Sequence, residues 1–199
     1  DTVARNATTL DVDLGCVTDI VLSHFHFDHV GGLLTLFEEH IQTTPDHALR
    51  VHVAEGFFLS RRTANDVDTE WNGMIEVRAQ LEAMNVEFHV YDEATEILPA
   101  VWVTGPVTRT HSEENYPKFI RVMIDGEWVE DYVPDSQGLT IVTTQGPIVL
   151  LGCGHSGAVN LLEQVRRDIQ DEPVQALMGG MHLFSATPET LDWTAERLN

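Results

Sequence analysis

Short apolar runs alternate along this chain with stretches in which hydrophobic residues recur every three to four positions. Asp19-Ile20-Val21-Leu22-Ser23 reads as a buried strand running into a histidine-rich turn. A helix is expected to follow over 30–40, burying Leu33, Leu34, Phe37 and Ile41 at helical spacing. Arg50 to Ala54 reads as a second strand, Gly73 to Met84 as a helix with Val77, Leu81 and Met84 on one face, and Val86 to Tyr91 and Val101 to Thr104 as further short strands. From Phe119 the period changes to two. Phe119 to Ile124 and Glu127 to Val133 form one predicted hairpin across Asp125-Gly126, and Gly138 to Thr144 and Pro147 to Leu151 form another across Gln145-Gly146. A glycine-rich turn, Gly152 to Gly157, leads into a helix through Ile169 that turns Leu162, Val165 and Ile169 inward. Val174 to Met178 then reads as a strand, and Thr187-Pro188 as the cap and first residue of a last helix carrying Leu191 and Leu198. Strands alternating with helices predict an α/β fold, and no repeat or linker divides residues 1–199, so a single domain is expected.

Composition narrows the function classes. With 43% hydrophobic residues, the 199-residue chain can bury a sizeable core, as a disordered chain could not. The 11 Lys+Arg stand against 32 Asp+Glu, a formal charge of −21, and Lys118 is the only lysine. Affinity for a nucleic-acid backbone comes from clustered cations, so a nucleic-acid partner is excluded and a small-molecule substrate expected. The spread of acids along the chain fits the hydrated anionic surface of a salt-adapted protein. No run reaches the length of a membrane helix and no signal peptide is visible, so no membrane partner is expected; the oligomeric state is left open. Two cysteines, Cys16 and Cys153, are too few for a disulfide scaffold, which makes a reducing cytoplasm the default location.

The chemistry concentrates in Ser23-His24-Phe25-His26-Phe27-Asp28-His29. Alternate residues of an extended turn point the same way, so His24 and His26 can close on one metal while Asp28 and His29 face a neighbouring position. Neutral imidazoles and a carboxylate suit one or two divalent transition metals, zinc first, with iron or manganese as alternatives. A site of this kind with a free coordination position lowers the pKa of a water towards about 7.

His24, His26, Asp28 and His29 spell the HxHxDH hallmark of the metallo-β-lactamase-fold superfamily, which this sequence resembles, with Gly31-Gly32 following as is common there. Two downstream blocks, Gly152-Cys153-Gly154-His155-Ser156-Gly157 and Gly179-Gly180-Met181-His182-Leu183, are similar to those of the dihydropterin–aminobenzene-riboside-phosphate synthase branch. The resemblance implies an αββα sandwich. It assigns His24 and His26 to one metal and Asp28 and His29 to the other, makes His155 the third imidazole, and puts His182 where many members place a bridging carboxylate, as a metal ligand or a residue that holds one. Cys153 is a soft ligand in principle but is read as a small buried residue of a tight turn, His111 as a rim or surface residue, and His40, His47, His52 and His89 as structural. Against the branch pattern the chain opens at Asp1-Thr2 where an N-terminal strand stops, and ends at Asn199 within the last helix, so truncation at both ends is expected.

Three functions follow. The first is a metal-dependent hydrolase in which a metal-bound hydroxide, oriented by Asp28 with His155 beside it, attacks an ester-type substrate. The second, implied by the resemblance, is a synthase that condenses a dihydropterin with an aminobenzene riboside phosphate. The third is a non-catalytic metal or ligand-binding protein. A phosphorylated substrate is favoured by the small-residue turn at the helix start: Gly154, Ser156 and Gly157 would let a phosphate approach free N–H groups, with Arg109 adding a bidentate contact.

Overall fold

The apolar runs pair as parallel strands wherever a helical stretch separates them. The computed structural model describes residues 2–41, 48–184 and 186–198, so His47, the side chain of His40 and the two terminal residues lie outside the described residues. The chain begins with helix α1 (Thr2–Thr9), strand β1 (Asp19–Val21), the single turn α2 (Phe27–Val30) and α3 (Leu33–His40). Then come β2 (Leu49–Ala54), β3 (Arg61–Thr63), α4 (Met74–Ala83), β4 (Val86–Tyr91), β5 (Thr95–Leu98) and β6 (Val101–Val103). The second half runs through β7 (Ile120–Ile124), β8 (Glu127–Glu130), β9 (Gly138–Ile141), β10 (Ile148–Leu151), α5 (Ala158–Asp168), β11 (Ala176–Met178) and α6 (Pro188–Leu198).

Strands β1, β2 and β4 form a parallel sheet in which Val51 lies between Ile20 and Phe88. One face of that sheet is apolar: Leu49, Val51, Val53 and Val86 are buried with Leu33 and Phe37 of α3 and Met74 and Leu81 of α4. Its other face is polar. Arg50 donates two hydrogen bonds of 2.7 Å to the Asp19 carboxylate, and His52 links Asp19 at 2.8 Å to the Tyr91 hydroxyl at 2.8 Å while its ring stacks on His89. His52 and His89 thus hold the structural places expected of them. A five-stranded sheet in the order β11-β10-β9-β6-β5 carries α5 on its outside, where Val149 and Leu151 pack against Ala158, Leu161 and Val165. The sheets meet at Gln137, whose main-chain N–H donates to Ser23 and whose side-chain amide donates to the Leu22 carbonyl at 2.8 Å. Helices therefore lie outside two facing sheets, the αββα order, with a small antiparallel β3-β7-β8 sheet beside them.

Both expected hairpins form, β7-β8 across Asp125-Gly126 and β9-β10 across residues 142–147. The helix expected over 30–40 forms as α3 from Leu33, and a separate single turn, α2, precedes it. Phe27–Val30 makes one turn and Gly31-Gly32 separates it from α3; a Cβ on Gly31 would sit 2.6 Å from the Phe27 ring. That break places Asp28 and His29 on a short turn of their own at the end of β1.

Candidate metal centre

Leu22 and Ser23 carry the chain from β1 into the sandwich edge, where His24 is 1% exposed. The Phe25 N–H donates to Asp135 at 2.8 Å, so the backbone between the two histidines is pinned and both rings turn to one side. His24 Nε2 lies 3.0 Å from His26 Nδ1, which lies 3.1 Å from His155 Nε2. Two nitrogens bound tetrahedrally to one zinc would be about 3.4 Å apart, from Zn–N distances of 2.0–2.1 Å, so each of these two pairs is within a few tenths of an ångström of ligand spacing, and all three donor atoms lie within 4.8 Å of one another. A second group adjoins it: the donor atoms of His24, His29 and Cys153 lie within 4.8 Å of one another. Asp28 has its carboxylate 3.5 Å from His29 Nε2 and its side chain largely in solvent, outside both groups. His182 packs its ring 4.5 Å from His155, with Nδ1 buried and without a hydrogen-bond partner among the described residues.

The outer nitrogens of the rings set what the inner ones can do. His155 Nδ1 contacts the Asn115 carbonyl at 2.5 Å; a carbonyl only accepts, so the proton sits on Nδ1 and the Nε2 lone pair faces the cluster. His24 Nδ1 is held 3.0 Å from the Ser23 hydroxyl. His26 Nε2 is buried and has no hydrogen-bond partner among the described residues, so the polar contacts of this ring are made by Nδ1, within the cluster. Burial, with the neighbouring imidazoles adding to it, pushes His24 far below the usual histidine range, His26 down to about 3 and His155 down to about 4. All three are neutral at pH 7. A neutral ring offers either one proton or one lone pair at His26 Nδ1, so its contacts with His24 Nε2 and His155 Nε2 cannot both be good hydrogen bonds, whereas a divalent cation would satisfy all three nitrogens; the donor set fits such an ion.

The second loop reaches the first through an unusually close backbone approach. A Cβ on Gly152 would lie 2.0 Å from the Ser23 hydroxyl, so only glycine lets this turn press against the histidine turn, and the Gly180 N–H donates to the Gly152 carbonyl at 2.9 Å from behind. Cys153 is thereby aimed inward, its sulfur 3.0 Å from His29 Nε2, rather than serving only as a small residue filling a turn. Cys153 and His155 are two apart, so the alternation argument that paired His24 with His26 would have paired these two as well.

The phosphate expectation at Gly154, Ser156, Gly157 and Arg109 is corrected by Glu113. Its carboxylate accepts the Val159 and Asn160 N–H groups at 3.3 and 2.8 Å, so the anion at the start of α5 is the protein's own. Gly157, at φ +93°, leaves the room: a Cβ there would lie 2.2 Å from the Glu113 carboxylate. Arg109 is committed as well, its guanidinium donating to the carbonyls of Glu113, Tyr132 and His155. Sequence alone could not find Glu113, which lies far from the helix it caps. Glu113→Ala should lower stability by about 1–3 kcal/mol, since it leaves two buried N–H groups unpaired; a denaturant midpoint equal to that of the parent protein would refute the assignment. His111, expected at the rim, contacts Glu163 at 2.8 Å.

Residues 3–168 match the family model of the metallo-beta-lactamase superfamily. Over 97% of its length the chain is 27% identical to the 7,8-dihydropterin-6-methyl-4-(beta-D-ribofuranosyl)-aminobenzene-5'-phosphate synthase of Methanocaldococcus jannaschii. It is also 27% identical over 87% of its length to the uncharacterized protein MJ0448 of the same organism. The chain spans 65% and 60% of the lengths of these two relatives. Among solved structures, Tm1679, a metal-dependent hydrolase of the beta-lactamase superfamily, shares the fold at a TM-score of 0.77 and 23% identity, over 98% of this chain and 68% of that one. Together with the facing sheets and the HxHxDH turn at the end of β1, the match over residues 3–168 settles the family: the chain belongs to the metallo-beta-lactamase superfamily.

Proposed function

We propose that the chain forms the catalytic site of a metal-dependent hydrolase acting on a small ester-type substrate. The observation that carries this reading is the convergence of three neutral ring nitrogens, His24 Nε2, His26 Nδ1 and His155 Nε2, at 3.0–3.1 Å along the series. These three would hold one divalent ion, and His29 with Asp28 beside it would serve a second. When bound, such ions supply hydroxide at neutral pH by lowering a water's pKa to about 7, and stabilise the developing oxyanion. Asp28, whose carboxylate stands in solvent at the mouth, orients the attacking water. The Asn115 carbonyl keeps the His155 ring in its working tautomer. His182, whose buried Nδ1 has no hydrogen-bond partner among the described residues and whose ring lies beside His155, would serve as a further ligand or as a residue that holds a ligand in position.

A synthase is the second reading, favoured by the 27% identity to a named synthase over nearly the whole chain. Isotope-labelled water separates the two. With the metal-loaded full chain, a hydrolase incorporates label into the product of a lactone or phosphoester panel, whereas a synthase joins two substrates and takes up none. Absence of both label uptake and condensation would overturn catalysis and leave a binding protein. Because Glu113 fills the helix start, phosphorylated members of the panel should gain no affinity from residues 154–157, and inorganic phosphate should not compete.

The salt-adapted surface also remains a proposal, supported by the charge of −21. Self-repulsion between like charges is screened by salt, so the thermal midpoint should rise from low to molar KCl. A flat or falling curve would remove the reading. Among the described residues no helix is long and apolar enough to cross a membrane.

A further inference from the structure

Cys153 has surroundings that the role of a small residue in a tight turn does not account for. It belongs to a group with His24 and His29 whose donor atoms all fall within 4.8 Å, and His24 is almost fully buried. Three features fix the sulfur there. The backbone before it is clamped between Ser23 on one side and Gly180 on the other, where no side chain would fit. Its neighbour two residues on, His155, enters the adjoining group, so both come from one side of one turn. And the sulfur lies 3.0 Å from His29 Nε2, against about 3.6 Å for a thiolate and an imidazole bound tetrahedrally to one zinc at 2.3 and 2.0–2.1 Å; about half an ångström of opening brings this pair to ligand spacing.

We propose that Cys153 is a thiolate ligand in the second metal position, sharing the ion with His29, next to the ion held by His24, His26 and His155. The inference rests on the metal-site reading above and goes beyond it by changing the second donor set from oxygen and nitrogen alone to one that contains sulfur. On coordination the metal–sulfur bond forms and the thiol proton leaves to solvent, with no change of oxidation state. A soft donor favours zinc or iron(II) over manganese or magnesium in that position, so the two positions differ in which metals they retain.

Cobalt(II) tests the assignment without reference to turnover. The full chain loaded with cobalt should show a sulfur-to-cobalt charge-transfer band in the near ultraviolet, beside the weaker visible bands that report cobalt on nitrogen and oxygen. In Cys153→Ser the charge-transfer band should vanish while the visible bands persist, and affinity for the second equivalent should fall by at least about 10- to 100-fold. Cys16→Ser leaves Cys153 as the one thiol and should keep the band whole, so the assignment stays testable even if Cys153→Ser folds poorly. Visible bands with no charge-transfer band in the parent chain or in Cys16→Ser would overturn the inference and leave the imidazole site standing; Cys153 would then be a hydrogen-bonding neighbour of His29. No cobalt uptake at all would overturn both.

Discussion

Replacing His24 and His26 together by alanine is expected to strip the full chain of transition metal, from about one to two ions to none, and to lower turnover by about 1,000-fold or more. The effect is large because both rings belong to one cluster and His24 belongs to both groups, so no complete ligand set survives. Metal content by elemental analysis is the direct measurement, and an unchanged content would end the metal-site reading. Stability offers an independent check on the metal-free protein. The unperturbed histidine value is 6.5, whereas burial holds His26 at about 3 and His155 at about 4. Between those values the unfolded chain binds protons that the folded chain refuses. The stability these groups contribute is therefore full above pH 6.5 and is lost as the pH falls towards the folded values. The upper limit is about 1.4 kcal/mol per pH unit for each group. Denaturant midpoints should drop between pH 7 and pH 5 in the parent protein, and drop less in the double variant, which has two fewer imidazoles to charge.

How much of the fold is legible in the chain follows the range of the interactions. Strands β2 and β4, the two later hairpins and helix α5 rest on runs of local periodicity, and each forms near its expected bounds. Three elements carry no such signal. The first, α1, reads Thr-Val-Ala-Arg-Asn-Ala-Thr-Thr, a run poor in strong helix formers, and is held by burial of Ala4 and Ala7. Strand β3 is three residues long and polar, Arg61-Arg62-Thr63, and exists because β7 pairs with it. Strand β5 alternates Thr95 and Ile97 with exposed Glu96 and Leu98 and is defined by its pairing with β6. The site divides the same way. His24 and His26 can be paired from spacing alone, whereas His155, about 130 residues on, is marked only by a motif, and its tautomer depends on the Asn115 carbonyl, which no local pattern marks. The phosphate expectation fails because an open helix start and one already capped by a distant Glu113 look identical in sequence.

The largest stability effect should come from Arg61, a residue of a type rarely found fully buried. Its side chain is fully buried beside two carboxylates that are equally buried. Nε donates to Asp131 at 3.1 Å, one Nη to Asp135 at 2.6 Å, and the other Nη to the Phe57 and Leu59 carbonyls. The guanidinium lies 3.7 Å beneath the Phe25 ring, and Asp135 in turn accepts the Phe25 N–H, so this buried group is the floor under the His24–His26 turn. Arg61→Met should cost about 3–5 kcal/mol, because it strands two carboxylates without their cation. Arg61→Lys should recover little of this, since an ammonium cannot reproduce the planar fork. The pH dependence should run opposite to that of the histidines. Burial pushes Asp135 up to about 6 from 3.8 while Arg61 pulls it down. A carboxyl raised on folding favours the folded state most below its unfolded value, and that contribution is lost as the pH rises through the folded one. Without Arg61 the carboxyl rises further, so Arg61→Met should be least destabilised relative to the parent near pH 5 and most near pH 7. Denaturant unfolding of the two metal-free proteins at both pH values measures this. A variant within about 1 kcal/mol of the parent at pH 7 would show that the buried charges are not what holds the floor of the metal turn.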